Sequence, residues 1–314
     1  MDRLGSAILA KCLSRTRYMT GFQKYSPMAS ITEPSLQHRA RLGLQLDTAL
    51  AEQVLVRFIA DAISKFGFTR AVVNTSGGID SAVTCALAAR ALGPENVLAL
   101  MLPYRTSNPA SQRDAETLVH ALGVDSGIID VSQAVDGYLD ELDDDPSPVR
   151  RGNVMARTRM IAAYDQSLAF DALVVGTSNK TELLLGYGTL HGDMASAVNP
   201  IGDLYKTQLR QLAAALDLPA AILDKPPSAD LWQGQSDEAE LGFTYEVADE
   251  VLYLLIDEWH AADEIAAGGY DADLVSEIRR RVRQTQYKRR PPVIAKLSDR
   301  TIDRDFRYPR DWGR

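Results

Sequence analysis

The feature that most constrains the fold is a glycine-rich segment, SGGIDS at residues 76–81, which joins a predicted strand to a predicted helix. Residues 71–73 before it are apolar and partly β-branched, as in a buried strand. Residues 82–89 after it are rich in Ala, which favours a helix. Adjacent glycines let a backbone turn sharply and present N–H groups to an anion, and a helix N-terminus adds further donors. The segment therefore predicts a phosphate site, in which Asp80 holds a divalent cation against the phosphate.

Two common phosphate-binding motifs do not match these residues. A Walker A loop needs a lysine in the turn, and a dinucleotide fingerprint needs glycines spaced as G-x-G-x-x-G. The alternative is that these residues bind no ligand and form an ordinary glycine-rich turn, in which Asp80 caps the following helix. The string SGGIDS resembles the pyrophosphate-binding loop of the N-type ATP pyrophosphatases, which cleave ATP between its α and β phosphates.

Strand and helix patterns alternate along much of the chain. The patterns predict helices at 47–66, 111–122 and 149–170 and strands at 96–101, 126–131 and 172–175. This alternation indicates an α/β fold with a parallel sheet and helices on both faces, and such sheets bind ligands at the carboxyl ends of their strands. After Thr177 the loops become rich in glycine and proline, and helices are predicted at 205–216, 245–261 and 271–281.

Composition narrows the class of protein. The 314 residues carry a net charge of −8, which argues against a general nucleic-acid-binding surface, and no apolar run is long enough to span a membrane. Two cysteines, Cys12 and Cys85, suggest neither a disulfide framework nor a metal site, and they fit a reducing cytoplasm. Residues 1–43 are predicted to form an extension that is flexible or docks a partner, although a targeting peptide or a misplaced start codon would give the same basic pattern.

Seven further segments follow the loop in a characteristic order. They are GNVMARTRM (152–160), GTSNKTE (176–182), GDM (192–194), PIGDLYKT (200–207), KPPSA (225–229), QSDE (235–238) and YKRRPP (287–292). With SGGIDS they make the chain resemble the NAD synthetase family over residues 44–314. That family uses ATP to adenylate the nicotinate carboxylate of deamido-NAD and lets ammonia displace AMP. The resemblance implies an adenine-nucleotide α-hydrolase-like, Rossmann-like fold, Mg²⁺ as cofactor, and ATP and deamido-NAD as substrates.

The resemblance also implies a role for each matching residue. The expected catalytic residues are Asp80, Glu182, Asp193 and Lys206, and the expected Mg²⁺ ligands are Asp80 and Glu182. The expected ATP-binding residues are Asn74, Thr75, Ser76, Gly77, Gly78, Ile79, Asp80, Ser81, Arg105, Thr177, Lys206 and Ser228. The expected deamido-NAD-binding residues are Arg157, Glu182, Asp193, Tyr287 and Lys288. Without the resemblance, several of these charged residues could equally be solvent-facing helix residues.

Three positions depart from the family pattern. The ammonia-dependent bacterial enzymes have a lysine where this chain has Leu190 and an aspartate where it has Ala197, and the local sequence resembles instead the synthetase domain of glutamine-dependent members. Tyr287 replaces a family histidine. Deamido-NAD binding is therefore expected to be built differently here. The glutamine-dependent members also carry a fused amidase domain, for which residues 1–43 are too short, so free ammonia or a separate amidotransferase is the expected nitrogen source.

Two functions of other classes stay open. One is a tRNA-modifying ATP pyrophosphatase, which would share the SGG-x-DS loop but adenylate a base. The NAD synthetase family, by contrast, implies a homodimer whose active site draws on both subunits. Thiolating enzymes of the tRNA-modifying kind generally need catalytic cysteines, and an acidic chain is a poor tRNA ligand. A non-catalytic nucleotide-binding regulatory protein is the third possibility. The joint presence of Asp80, Glu182, Lys206 and Arg157 argues against it.

Overall fold

Four parallel strands form the sheet in the computed structural model, which describes residues 34–228, 235–297 and 299. The strands are β1 (Arg70–Asn74), β2 (Val97–Met101), β3 (Asp125–Ile128) and β4 (Ala172–Val175), in the order β3-β2-β1-β4. Ala71 of β1 pairs with Val97 of β2 on one side and with Leu173 of β4 on the other. Beyond β4, Val175 forms one further parallel pair with Val198. The predicted parallel sheet is confirmed.

Thirteen α-helices accompany the sheet in the described ranges. They are α1 (Leu36–Gly43), α2 (Thr48–Lys65), α3 (Ile79–Leu92), α4 (Pro109–Leu122), α5 (Ser132–Leu139), α6 (Pro148–Ala169), α7 (Lys180–Leu185), α8 (Lys206–Ala215), α9 (Ala220–Leu223), α10 (Asp237–Leu241), α11 (Tyr245–Leu252), α12 (Ala262–Ala267) and α13 (Ala272–Gln284). Short 3-10 turns span Pro94–Asn96 and Gln286–Arg289. Within the described part of the chain, no helix is both long and apolar enough to cross a membrane.

Helix α3 lies at the centre of the larger core because its side chains are small and mostly apolar. Ten of its 14 residues are buried. It contacts α2, α8 and β1, and Ile59, Ile63 and Leu212 belong to the same apolar cluster. On the other face of the sheet, α5 and α6 pack against a cluster that contains Val72 and Val174. Buried apolar surface stabilises a fold by about 25 cal/mol per Å². The burial on both faces of the sheet therefore holds in place the helix that begins at the glycine-rich loop.

A separate apolar cluster joins the C-terminal helices to α1. Tyr245 and Leu252 of α11, Ile278 of α13 and Ala40 of α1 are all fully buried in it. Because Ala40 is buried, tertiary packing begins inside the segment 1–43 that the sequence predicts as an extension. The prediction for residues 1–33, which include Cys12, concerns a segment that lies outside the described residues.

Some predicted boundaries differ from the structure. The strand predicted at 126–131 is shorter, because α5 begins at Ser132 directly after the connection. The helix predicted at 245–261 is α-helical only to Leu252 and continues as a π-helical turn, Tyr253–Asp257. Trp259 then has φ 59°, a left-handed conformation that ends helices. The sequence analysis did not predict six short helices, since so few turns give no clear period; they are α1, α5, α7, α9, α10 and α12.

Candidate active site

The candidate phosphate loop, residues 75–81, joins the end of β1 to the start of α3. Gly77 has φ 73°, a left-handed conformation that glycine adopts without strain. The Ser81 hydroxyl donates to the Gly78 carbonyl at 2.9 Å and accepts from the Ser76 N–H at 3.2 Å, which closes the loop on itself. Gly78 precedes α3 and provides no side-chain cap. The first N–H groups of α3 therefore remain suited to an anionic ligand.

The loop lies where the strand order changes direction. From β1 the sheet extends through β2 to β3 on one side and to β4 on the other. Open parallel sheets bind ligands at the carboxyl ends of the strands that flank such a point. The segment 176–182, which follows β4, and the loop 75–81 therefore meet at one edge. This topology brings Glu182 toward Asp80 although they are far apart in sequence.

Three charged side chains, the Asp80–Lys206–Glu182 cluster, meet at this edge. Lys206 is the first residue of α8, and only 2% of its side chain is exposed. Its Nζ lies 2.5 Å from Asp80 Oδ2 and 3.5 Å from Glu182 Oε1. The same atom lies 5.1 Å from the centre of the Tyr245 ring, whose face attracts a cation. The structure thus brings together the two predicted metal ligands and the predicted catalytic lysine.

Asn179 links the two carboxylates of the cluster. Its side chain is fully buried, and its Nδ2 donates to Asp80 Oδ1 at 2.8 Å. Its Oδ1 accepts from the Glu182 N–H at 2.9 Å, and its own N–H donates to Glu182 Oε2 at 3.3 Å. This reciprocal pair of bonds is a capping box that starts α7. One side chain therefore sets both the start of α7 and the orientation of Asp80.

A buried carboxylate behind the cluster ties α7 to α8. Asp249 on α11 accepts from the Thr181 hydroxyl at 2.5 Å and from the Thr207 N–H at 2.8 Å. The Thr181 oxygen in turn accepts from the Lys206 N–H at 3.0 Å. Burial raises the pKa of Asp249 to about 6, while the bonds from both threonines oppose that rise. Asp249 thus holds together the first turns of the helices that carry Glu182 and Lys206.

The cluster has an excess of carboxylate over ammonium groups. Burial and then the repulsion of Asp80 raise the pKa of Glu182 to about 8, while Lys206 opposes the rise. Burial lowers the pKa of Lys206, but the attraction of Asp80 and Glu182 outweighs it and leaves that pKa above its ordinary value. Lys206 is therefore an ammonium at neutral pH, and the two carboxylates favour a second cation.

Asp80 and Glu182 fit a magnesium site that a substrate completes. Mg²⁺ usually takes one or two protein carboxylates together with phosphate oxygens and water, rather than an all-protein cage. Consistently, residues 34–228, 235–297 and 299 contain no group of three or more His, Cys, Asp or Glu that could hold a metal. Burial first, and then the repulsion of Asp80, raises the pKa of Glu182, and a cation beside both carboxylates would oppose the repulsion. These two carboxylates are the groups that would hold the ion.

Two cations predicted to bind deamido-NAD lie against a second loop, residues 186–193. Lys288 Nζ donates to the carbonyls of the two loop glycines, Gly186 at 2.8 Å and Gly188 at 2.7 Å. Arg157 Nε, on α6, donates to the Leu190 carbonyl at 3.3 Å. Burial lowers the pKa of Lys288, with Asp193 opposing and Arg157 adding to the effect. The structure therefore places the two predicted cations close together.

Asp193 forms a hydrogen bond within the same loop, and Tyr287 immediately precedes Lys288 in the chain. Asp193 Oδ1 accepts from the Thr189 N–H at 2.6 Å, and the residue keeps an exposed face. The Thr189 hydroxyl bonds to Asn153 Oδ1 at 2.8 Å, which joins the loop to α6. Tyr287 is 62% exposed. Deamido-NAD contacts of these residues stay a prediction.

The remaining predicted ATP-binding residues are spread along the strand ends. Asn74 ends β1, and its Oδ1 is buried without a hydrogen-bond partner among the described residues. Thr177 lies two residues after β4 and is half-buried. Arg105 follows β2 but pairs with Asp136 of α5, so the structure does not bring it into the Asp80–Lys206–Glu182 cluster. Ser228 is exposed and ends a described range.

Sequence reasoning gave no role to several residues that support the site. Asn179 stands three residues before Glu182, and this N-x-x-E spacing is a signal for a helix start. Asp237 lies in the QSDE segment and is buried, where it accepts from the hydroxyls of Tyr187 at 3.0 Å and Tyr245 at 3.2 Å. Asp249 has a weaker signal, a charged residue on the apolar face of a short helix.

The sequence of this chain is similar to those of known NAD synthetases. The NAD synthase family model matches residues 51–292. The NH(3)-dependent NAD(+) synthetase of Trichlorobacter lovleyi is 54% identical over 271 residues, which are 86% of this chain and 99% of the relative. The protein of the same name from Chlorobaculum tepidum is 57% identical over 270 residues, with 86% of this chain and 97% of the relative covered.

Solved structures of NAD and NMN synthetases resemble this fold. The NH3-dependent NAD synthetase from Campylobacter jejuni, in complex with nitrate, has a TM-score of 0.68 and 33% identity over 80% of this chain and 100% of its own. The NMN synthetase from Francisella tularensis has a TM-score of 0.72 and 31% identity, over 81% of this chain and 100% of its own. A glutamine-dependent NAD+ synthetase from Acinetobacter baumannii has a TM-score of 0.61 and 30% identity, over 84% of this chain but 50% of its own. The adenine-nucleotide α-hydrolase-like fold is confirmed, and the chain belongs to the NAD synthase family.

Proposed function

We propose that this chain is an ammonia-dependent NAD synthetase, a ligase that makes the carboxamide C–N bond of NAD from deamido-NAD, ATP and ammonia. The observation that carries the proposal is the Asp80–Lys206–Glu182 cluster beside a phosphate loop, in a chain 54% identical to a protein named NH(3)-dependent NAD(+) synthetase. Because that match covers 86% of the chain, it favours this function over the tRNA-modifying and non-catalytic alternatives.

In the first half-reaction, the nicotinate carboxylate of deamido-NAD attacks the α-phosphorus of ATP. A carboxylate O–P bond forms while the bond from that phosphorus to the β-bridging oxygen breaks, and pyrophosphate leaves. Both reactants are anions, so the reaction needs charge neutralisation and in-line positioning. We assign the loop 75–81 and the N-terminus of α3 to the phosphates, and Lys206 to neutralisation. The burial of Lys206 supports this role, because a desolvated charge acts more strongly.

In the second half-reaction, ammonia attacks the carboxyl carbon of the adenylate. The new C–N bond forms as the C–O bond to AMP breaks, and the nitrogen loses one proton to become the amide. Arg157 and Lys288 are assigned to deamido-NAD, and Asp193 to positioning ammonia or the nicotinate end. These assignments are supported by the bonds of all three side chains to the loop 186–193.

We infer that Asp80 and Glu182 hold Mg²⁺ when ATP is bound. The ion, when bound, supplies positive charge that offsets the phosphates and stabilises the departing pyrophosphate. Support comes from the donor chemistry, since two carboxylates share one ammonium and carboxylate oxygens are ligands that Mg²⁺ prefers. Asn179 orients the pair for this task through its bonds to both residues.

Further proposals concern the assembly and the nitrogen source. We propose a cytoplasmic homodimer that takes small-molecule substrates, with ammonia either free or supplied by a separate amidotransferase. The names of the Trichlorobacter lovleyi and Chlorobaculum tepidum relatives, both NH(3)-dependent NAD(+) synthetases, support ammonia as the nitrogen source. Sedimentation of the purified protein tests the dimer: a monomer at micromolar concentration would contradict it.

A coupled assay with ATP, MgCl₂ and deamido-NAD tests the proposed reaction. We expect NAD and AMP with ammonium chloride as the nitrogen donor and none with glutamine. Because the Francisella tularensis relative is named NMN synthetase, nicotinate mononucleotide is the competing acceptor in the same assay. Asp80→Ala and Glu182→Ala should each abolish turnover. No product with either donor, or full activity in the double variant, would contradict the proposal.

A further inference from the structure

Lys225 contacts the phosphate loop from a part of the chain that follows α9. Its Nζ donates to the Gly77 carbonyl at 3.3 Å, to Ser111 Oγ at 3.1 Å and to Asp114 Oδ2 at 2.9 Å. Ser111 and Asp114 belong to the first half of α4, and 22% of the Lys225 side chain is exposed. One ammonium group thus joins three segments: the loop, the start of α4 and the chain after α9.

The loop and α4 approach each other so closely that no side chain fits between them. A Cβ added at Gly77 would lie 2.2 Å from the Ser111 carbonyl oxygen and 3.1 Å from Asp114 Cβ. Ser111 is itself buried, so the start of α4 is a firm surface for the loop to pack on. The packing therefore fixes where the Gly77 backbone lies, and Lys225 supplies a donor to its carbonyl.

The bond to this carbonyl determines where the next N–H group points. In a trans peptide the C=O and the following N–H point in opposite directions, and the described residues contain no cis peptide bond. With the Gly77 carbonyl turned toward Lys225, the Gly78 N–H points to the other side of the loop, 3.3 Å from Ser76 Oγ. That N–H donates to the Ser76 hydroxyl oxygen, and Gly78 is the N-cap residue of α3, so the bond from Lys225 fixes the backbone at the point where the helix with the free N–H groups begins.

Charge gives Lys225 a second effect on the loop. Asp114 has 19% of its side chain exposed and lies beside a loop proposed to bind a triphosphate. An unpaired carboxylate there would repel the phosphates, and the Lys225 ammonium at 2.9 Å cancels it. The lysine thus acts on phosphate binding both through the peptide it orients and through the carboxylate it neutralises.

We propose that Lys225 is a positioning residue of the phosphate loop, which fixes the Gly77–Gly78 peptide through its carbonyl, ahead of the N-terminus of α3, and neutralises Asp114. It therefore sets the affinity of the enzyme for the pyrophosphate part of ATP. The inference rests on the proposed function in one respect, that the loop 75–81 binds the triphosphate. Lys225 acts through the loop and not by contact with the reacting atoms.

The test compares three variants of the full-length enzyme. Lys225→Met removes the ammonium and keeps an unbranched side chain, Lys225→Arg keeps the charge, and Lys65→Met replaces an exposed lysine at the end of α2 as the control. The measurements are KM for ATP, KM for deamido-NAD, and the affinity for inorganic pyrophosphate by calorimetry. We expect Lys225→Met to weaken pyrophosphate and ATP binding about tenfold, with KM for deamido-NAD within about twofold, because hydrogen bonds to charged groups are of this strength. Lys225→Arg should recover part of the loss, and Lys65→Met should match the unmodified enzyme.

The outcomes separate this inference from the proposed function. Unchanged pyrophosphate affinity in Lys225→Met overturns the inference, and so does an equal loss in all constants that Lys225→Arg does not rescue. If Lys225→Met does not fold, Lys225→Gln is compared with the double variant Asp114→Asn/Lys225→Gln. Recovery of pyrophosphate affinity in the double variant supports the inference, and its absence overturns it. An unmodified enzyme that binds pyrophosphate but makes no NAD contradicts the proposed function instead.

Discussion

Replacing Lys206 by Met tests the electrostatics of the Asp80–Lys206–Glu182 cluster. Met keeps an unbranched side chain of similar length but removes the ammonium that lies 2.5 Å from Asp80 and 3.5 Å from Glu182. Breaking a buried ion pair by removing one partner costs about 3–5 kcal/mol. Asp80 is the main uncompensated charge in the variant, because its carboxylate lies closer to the ammonium than that of Glu182 does. We therefore expect the free energy of unfolding to fall by about 3 kcal/mol, the lower end of that range.

Urea denaturation with and without MgCl₂ measures this loss. A divalent cation at the same two carboxylates would replace the missing charge, so MgCl₂ should stabilise Lys206→Met more than the unmodified protein. The rate constant kcat should fall about 10²–10³-fold, as when one preorganised charge is removed from a transition state. Lys180→Met is the matched control, since Lys180 Nζ lies 2.9 Å from Asp257 Oδ1 and 4.5 Å from the Tyr205 ring centre, outside the cluster.

The control should lose about 1 kcal/mol or less, because its ion pair is partly solvated, and should keep its kcat. Two results would refute the reasoning. If Lys206→Met is as stable as the unmodified protein, the cluster does not depend on the ammonium for its charge balance. If MgCl₂ stabilises both proteins equally, the ion does not bind at the carboxylates that Lys206 neutralises.

Four other predictions concern single sites. Gly77→Ala should lower the free energy of unfolding, measured by urea denaturation, by at least about 2 kcal/mol, because alanine is strained at φ 73° and its Cβ would lie 2.2 Å from a carbonyl oxygen. Steady-state kinetics should show a raised KM for ATP in the same variant. In Cys12→Ser, a thiol reagent at pH 8 should find no reactive thiol until urea is added, because Cys85 is buried and burial raises its pKa to about 12. Asp249 has a pKa of about 6 in the folded protein against an ordinary 3.8, so the folded state binds the proton more tightly and its stability falls as pH rises. From pH 5 to 7.5, the free energy of unfolding measured by urea denaturation should fall by about 1.4 kcal/mol more in the unmodified protein than in Asp249→Asn. Arg157→Ala should raise KM for deamido-NAD about tenfold with KM for ATP unchanged, and equal KM values would contradict its assignment.

The resemblance to the NAD synthetase family predicted that Asp80, Glu182 and Lys206 share one site, and the structure brings them together because each follows a strand end or starts a helix at one edge of the sheet. The sequence did not predict Asn179 as their link. The spacing N-x-x-E signals the helix start, but the bond from Asn179 to Asp80 joins residues 99 positions apart. That contact depends on the register of β1 against β4, which no local pattern determines.

The position of Arg105 also depends on contacts that the sequence did not indicate, and its predicted role in ATP binding stays a prediction. Its place after β2 puts it at the ligand edge of the sheet, but the connection turns toward α5, where Asp136 pairs with it. That helix has eight residues and no side-chain cap at its start, so the sequence carries little sign of it. Short helices owe their position to tertiary packing, and the residues that pair with them are equally hard to predict.

An acidic chain that binds a polyanion has to concentrate positive charge locally. The net charge of −8 gives no long-range attraction for ATP, and the two lysines at the phosphate loop are each paired with carboxylates. Lys206 balances Asp80 and Glu182, and Lys225 balances Asp114. Because both ammonium groups are paired with carboxylates, Lys206 alone does not offset the charge of the phosphates, and their recognition also needs the N–H groups of the loop and of α3 and a cation at Asp80 and Glu182. This arrangement favours a ligand that arrives with its own metal ion over a bare anion.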